Sequence, residues 1–243
     1  MDLGLTGLRA IVTGGSAGIG AAIVRVLATE GCNVSFCGRR QERIDDVLRS
    51  VDKLPGAVSG CALDIANTTS YLAWLESLGE IDILVANASA ISTDWRTSID
   101  TDIQGTVSTT EATLPYLYRS NSAAITYVGS KIASLPAPDA AAYGAAKAAM
   151  AHYMKSLAWR VLPGIRVNTV SPGDTWFPGC IWQRMQTAEP HRFDAVLARN
   201  PMRRLATVEE VARVVAFVSS PAASFVAGVN WYVDGGSVGH VQF

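Results

Sequence analysis

Short runs rich in Val and Ile recur along the chain, each followed by a longer stretch whose apolar positions return at helical spacing. Strands are predicted at 8–13, 33–37, 57–63, 81–86, 123–128, 165–170 and 229–233. Helices are predicted near 18–30, 40–52, 67–78, 94–119, 139–162 and 207–219. Strand and helix alternating from end to end is the pattern of βαβ units around a parallel sheet. Seven such strands predict one α/β domain over residues 1–243, a doubly wound seven-stranded parallel sheet whose ligands sit beyond the carboxyl ends of the strands. Thr207 and Glu210 have capping-box spacing, and Asp139, following Pro136 and Pro138, is placed to cap the Ala-rich helix.

Residues 174–206 break the rhythm. This stretch carries Trp176, Phe177, Trp182, Met185 and Phe193, is too long for an ordinary strand-to-helix loop, and is too aromatic for disorder. It is read as a substrate lid, and its side chains suggest an apolar or cyclic substrate. Arg184 and Arg192 are read as solvent-facing.

Composition narrows the function by exclusion. Lys plus Arg number 20 against 21 Asp plus Glu, so no net field favours nucleic acid or an anionic membrane. No apolar run approaches the roughly 20 residues of a membrane span, and the first residues lack the pattern of a signal peptide. The 4 cysteines form no CxxC pair, which suits a reducing compartment, and a cytoplasmic location is expected. His152, His191 and His240 stand far apart, and no metal site is assigned.

The segment Thr13-Gly14-Gly15-Ser16-Ala17-Gly18-Ile19-Gly20 follows the first strand and opens the first helix. Glycines remove side chains where the backbone must turn tightly against a pyrophosphate, and the helix N-terminus offers free N–H groups to it. Gly14, Ser16, Gly18, Ile19 and Gly20 are therefore candidate cofactor-binding residues. The second strand ends Cys37-Gly38-Arg39-Arg40, without the carboxylate that an NAD site uses for the ribose hydroxyls. Arg39 and Arg40 instead suit the 2′-phosphate of NADP(H) through charge-assisted contacts.

Tyr143 and Lys147 lie four residues apart and share a helix face. A nearby ammonium, together with an oxidised nicotinamide, would pull the phenol below its usual pKa of about 10 and let it act as general acid or base. Ser130, past the fifth strand, is placed to hold the reacting oxygen.

With these residues the chain resembles the short-chain dehydrogenase/reductase family over nearly its full length, oxoacyl-carrier-protein reductases in particular. The resemblance rests on the turn from Thr13 to Gly20, the set Ser130, Tyr143 and Lys147, Asp64 after the third strand, Asn87-Ala88-Ser89, Pro172-Gly173 and Asp234-Gly235-Gly236. It implies a Rossmann fold and an often tetrameric or dimeric assembly. It also implies an adenine contact at Asp64, cofactor contacts at Asn87, Pro172 and Gly173, and a lysine that also bonds the nicotinamide ribose. Asp102 stands where the family carries a catalytic Asn, whose backbone carbonyl joins a water relay toward the lysine. Its carboxylate is a further candidate to reach Lys147 through water. Ser89 replaces a Gly, which requires ordinary backbone angles there. The stretch from Ser89 to Trp95 is short for the family, which opens one wall of the pocket. Thr175 takes the carboxamide-binding role, although the family's threonine lies further along.

The expectation is an NADP(H)-dependent oxidoreductase that reduces a ketone or oxidises a secondary alcohol. The alternatives are an NAD(H)-dependent secondary alcohol dehydrogenase and, in another class, a non-catalytic NADP(H)-binding sensor or scaffold. Enoyl reductases of related fold place the tyrosine further ahead of the lysine, which counts against that activity.

Overall fold

The computed structural model describes residues 1–241. Its seven-stranded sheet contains β1 (Arg9–Thr13), β2 (Asn33–Gly38), β3 (Val58–Ala62), β4 (Ile83–Ala86), β5 (Ala124–Val128), β6 (Arg166–Pro172) and β9 (Asn230–Val233). All neighbours run parallel in the order β3-β2-β1-β4-β5-β6-β9. Every residue of β4 and β5 is buried, as expected for strands covered on both faces, whereas β3 at the edge is largely open. Each predicted strand corresponds to one of these seven, with ends shifted by a residue or two.

One face of the sheet carries α1 (Gly18–Thr29), α2 (Gln41–Val51) and α9 (Val208–Ser219), packed through Ile23, Leu27, Ile44 and Val215. The other carries α3 (Thr68–Leu78), α5 (Thr106–Leu117) and α6 (Ala141–Val161), packed through Leu75, Leu114, Met150 and Leu157. The threonines of α5 could not be buried with free hydroxyls. Thr109, Thr110 and Thr113 each donate to a carbonyl four residues back, at 2.7–2.8 Å.

Three local expectations need correction or detail. Asp139 does not cap α6. It lies in a tight turn, Pro138–Ala140, and α6 starts after Ala140 with no side-chain cap. The helix predicted near 94–119 is not uniformly α. A short α4 (Trp95–Thr97) runs into a π-helical stretch, Ser98–Gly105, before α5 begins. The wider winding turns Ser98, Asp102 and Gly105 inward. By contrast, Thr207 and Glu210 form the expected capping box at α9, with Glu210 N–H donating to Thr207 Oγ1 at 3.3 Å and Thr207 N–H to Glu210 Oε2 at 2.8 Å.

Residues 174–206 fold into α7 (Ile181–Ala188) and α8 (Pro190–Arg199), closed by a small parallel pair, β7 (Thr175–Trp176) with β8 (Ala206–Thr207). The chain leaves β1 toward β2 and β3, then returns to β4 on the other side of β1. That reversal opens a crevice at the carboxyl ends of β1 and β4, where such sheets bind ligands.

Candidate active site

The Gly-rich turn sits at this crevice. Gly14 takes φ +68°, and a Cβ there would lie 2.8 Å from Ala88 Cα. A Cβ on Gly20 would fall on the Gly14 carbonyl oxygen, so this close turn-to-helix contact excludes any side chain. Asn87 clamps the turn, donating from Nδ2 to the carbonyls of Thr13 and Gly14 at 3.0 and 3.1 Å. Thr13 Oγ1 completes the clamp by accepting from Asn87 N–H at 3.0 Å. The helix behind the turn, α1, is preceded by Ala17 and has no side-chain cap, which leaves its first N–H groups open to a phosphate. Ile19 is half-buried and packs on the core. The cradle and the uncapped helix fit a dinucleotide pyrophosphate.

At the tip of β2, the Ser16 side chain fills the volume that a side chain on Gly38 would need. Arg39 and Arg40 are exposed beside it. Arg40 lies 4.0 Å from Glu42, while Arg39 has no ion-pair partner among the described residues. Asp64 is exposed past the end of β3 and accepts from Ala66 N–H at 3.0 Å.

Ser130, Tyr143 and Lys147 converge beyond β5. Ser130 Oγ caps the short turn Lys131–Ser134, accepting from Ile132 N–H at 3.3 Å, and lies close enough to the Tyr143 phenol to act on its charge. Lys147 is 2% exposed, and its Nζ donates to the Val128 carbonyl at 3.1 Å. The ammonium lies 5.6 Å from the centroid of the Tyr143 ring.

Without cofactor, burial governs the electrostatics of this pair. Burial pushes the Tyr143 phenol up to about 12, the Ser130 hydroxyl pulls it back in part, and the Asp102 charge raises it further. Burial also lowers Lys147 to about 8, against a smaller upward pull from Asp102. The spacing of Tyr143 and Lys147 put the lysine's field first. In the folded protein without cofactor desolvation is the largest influence on the phenol and holds it protonated.

Asp102 is 1% exposed and forms no ion pair with the lysine, although its charge acts on it. Its carboxylate accepts from the Ser89 hydroxyl and from Ala90 N–H, the latter at 3.3 Å. Ser89 avoids the left-handed region, as its replacement of a glycine requires. The strain of the short segment falls instead on Ile91, at φ +48°, which is costly for a β-branched residue. Ile91 and Trp95 both face solvent along this wall.

On the far side, Gly173 must be small because a Cβ would meet Asp234 Cα at 2.7 Å, which locks the end of β6 (closing with Pro172) to the C-terminal turn. Thr175 is buried, and its hydroxyl donates to the Gly173 carbonyl at 3.0 Å, so its proton is already engaged within the protein.

Several residues at this site carried no signal in the sequence. Lys131, next to Ser130, bridges Asp174 at 2.6 Å and Ser237 at 3.3 Å, tying the loop after β5 to the start of 174–206 and to the C-terminal turn. The Phe177 ring packs over the Gly-rich turn, so a Cβ on Gly18 would lie 3.0 Å from it. Tyr127, inside β5, reads as one more strand aromatic. These pairings join segments far apart in the chain, and no local spacing encodes them. Arg192 pairs with Glu189 at 3.1 Å, and Arg184 is exposed.

Comparison with known proteins agrees with this architecture. Residues 14–238 match the family model described as Enoyl-(Acyl carrier protein) reductase. The chain is 35% identical over 260 residues to isoepoxydon dehydrogenase from Penicillium expansum, covering 100% of this chain and 99% of that protein. It is 34% identical over 243 residues to cis-4-hydroxycyclohexanecarboxylate dehydrogenase from Sinomonas cyclohexanicum, covering 93% and 95%. A solved structure of L-sorbose reductase from Gluconobacter frateurii, complexed with NADPH and L-sorbose, superposes with a TM-score of 0.92 at 28% identity, covering 99% of this chain and 100% of that one. With both sequence and fold matched over nearly the whole length, the chain belongs to the short-chain dehydrogenase/reductase family of oxidoreductases.

Proposed function

We propose that this protein is an NADP(H)-dependent carbonyl reductase, also able to run as the corresponding secondary alcohol dehydrogenase, with Tyr143 as general acid/base. The observation that carries the reading is the meeting of Ser130, Tyr143 and Lys147 at the end of β5, beside a glycine cradle at the sheet's reversal point. NADPH, when bound, supplies the hydride. Its pyrophosphate suits the first amides of α1, and its 2′-phosphate suits Arg39 and Arg40, with Asp64 and Asn87 near the adenine and ribose. The L-sorbose reductase complex with NADPH supports this cofactor.

Ser130 holds the substrate oxygen through its hydroxyl, and Tyr143 gives that oxygen its proton. The raised pKa of Tyr143 keeps this proton in place at neutral pH, the form a ketone reductase needs. Lys147, beside the Tyr143 ring, would act on the phenol's charge after the proton leaves, and would hold the nicotinamide ribose of a bound cofactor. Asp102 and Ser89 brace the wall behind the lysine, and the backbone of this segment is the place for a water relay.

Against an NAD(H) preference stands Ser16, which denies Gly38 the room for a carboxylate. Residues 174–206 act as the lid. Phe177 and Phe193 are used in packing, which leaves Trp176, Trp182 and Met185 more open to a substrate. The dehydrogenase acting on a hydroxycyclohexane supports a ring-bearing substrate. Exposed Trp159 and Phe225 support a homo-oligomer, dimer or tetramer, which light scattering would test, and we place the enzyme in the cytoplasm.

The deciding experiment is NADPH consumption against a graded panel of cyclic, aliphatic, sugar and acyl-thioester ketones, repeated with NADH. Turnover of a cyclic ketone with preference for NADPH is expected. Tight NADPH binding with no consumption across the panel would leave a sensor instead.

A further inference from the structure

Tyr127 is 1% exposed, and its hydroxyl is the one buried side-chain polar atom among the described residues with no hydrogen-bond partner in the protein. Phenylalanine would fill the same space without a stranded hydroxyl, so a fold selected only for packing has no reason to keep the oxygen. Its surroundings are not ordinary core. The Lys147 ammonium lies 4.9 Å from the Tyr127 ring centroid, closer than to the Tyr143 ring and within the range of a cation–π contact.

The ammonium is otherwise poorly supported for a fully buried charge. Of its three protons, one is donated, to the Val128 carbonyl. Among the described residues, the titratable groups facing it are Tyr127 from β5, Asp102 from the π-helical stretch and Tyr143 from its own helix. The Asp102 carboxylate is turned to Ser89 and Ala90 and forms no ion pair with Lys147. The Tyr127 hydroxyl lies within electrostatic reach of both Asp102 and Tyr143.

We propose that Tyr127 is a positioning residue of the active site, whose ring and free hydroxyl hold the Lys147 ammonium charged beside Tyr143. A water held between the two groups would accept a second ammonium proton and donate to the hydroxyl oxygen, while the ring face takes part of the remaining charge. This inference rests on the general-acid reading of Tyr143, and its substance is a property of Lys147 that is present without cofactor.

The test is an NMR titration of the Lys147 side-chain amine in protein without added cofactor, run on the parent, Tyr127→Phe and Tyr127→Leu. Tyr127→Phe is expected to fold with equal or higher thermal stability and to move the lysine midpoint down by about half a pH unit or more. Tyr127→Leu, which also removes the ring, is expected to move it further. In turnover, Tyr127→Phe is expected to displace the pH profile of alcohol oxidation to the alkaline side. A lysine midpoint unchanged in both variants overturns the inference and leaves the reductase reading standing. A midpoint that shifts between parent and variants, in a protein that turns over no carbonyl, overturns the reductase reading and leaves the Tyr127–Lys147 coupling standing.

Discussion

The Ser16 hydroxyl occupies the space above Gly38, joining the Gly-rich turn to the tip of β2 through one small contact. An aspartate introduced at Gly38 to favour NADH therefore has nowhere to go. Gly38→Asp alone is expected to weaken NADPH and NADH together by at least about tenfold, because the displaced Ser16 disturbs the phosphate turn. Adding Ser16→Gly should restore NADH binding in preference to NADPH. Fluorescence titration of both cofactors against the single and double variants checks this, and a clean switch by Gly38→Asp alone would contradict it.

Among the described residues, Arg39 has no carboxylate partner at the same strand tip. A charge-assisted pair with a phosphate is worth roughly 1.5–3 kcal/mol, or about 10- to 150-fold in affinity. Arg39→Asp is expected to weaken NADPH by an amount in that range and NADH far less. Equal losses for the two cofactors would remove the 2′-phosphate from this site.

Tyr143→Phe leaves the ring's packing intact but takes away the proton, and turnover is expected to fall nearly to zero with little change in NADPH affinity. Ser130→Ala removes one donor to the reacting oxygen, for a loss of roughly 10²- to 10³-fold in kcat. It also uncaps the Lys131–Ser134 turn, so a circular-dichroism melt should accompany the kinetics. A Tyr143→Phe variant with parental kcat on a good substrate would mean that the acid lies elsewhere.

Lys147 is held at about 8 against an ordinary value of 10.5, so between those values the unfolded chain binds the proton more tightly than the folded one. Stability without cofactor should rise with pH through this window, and below it the cost is fully present, at about 3 kcal/mol. Lys147→Met is expected to abolish turnover yet raise the melting temperature at neutral pH, the gain shrinking as pH climbs toward about 10. Calorimetry at several pH values reads this out. A gain that does not depend on pH would assign the effect to packing rather than to the buried charge.

What was written locally was legible locally. The strands came from short apolar runs, the phosphate turn from Gly14, Gly18 and Gly20 at the first strand-to-helix junction, and the shared face of Tyr143 and Lys147 from a four-residue interval. The α9 cap was readable for the same reason, since Thr207 and Glu210 are three residues apart. Asp139 failed because the residues after Pro138 closed a tight turn before α6 could begin, and the inward π winding around Asp102 has no comparable signature.

Periodicity and motif spacing alone thus determined the alternating architecture and the carboxyl end of the sheet as the place of the site, because both follow from which residues are apolar and how far apart they lie. The tertiary structure decided the rest. It set Ser16 over Gly38, turned Asp102 to Ser89 rather than to the lysine, tied Lys131 to Asp174, and left Tyr127 beside Lys147 without a hydrogen-bond partner among the described residues. It also decided the direction in which Tyr143 moves, since the cost of burying a charge depends on surrounding segments that the spacing of two residues along a helix does not describe.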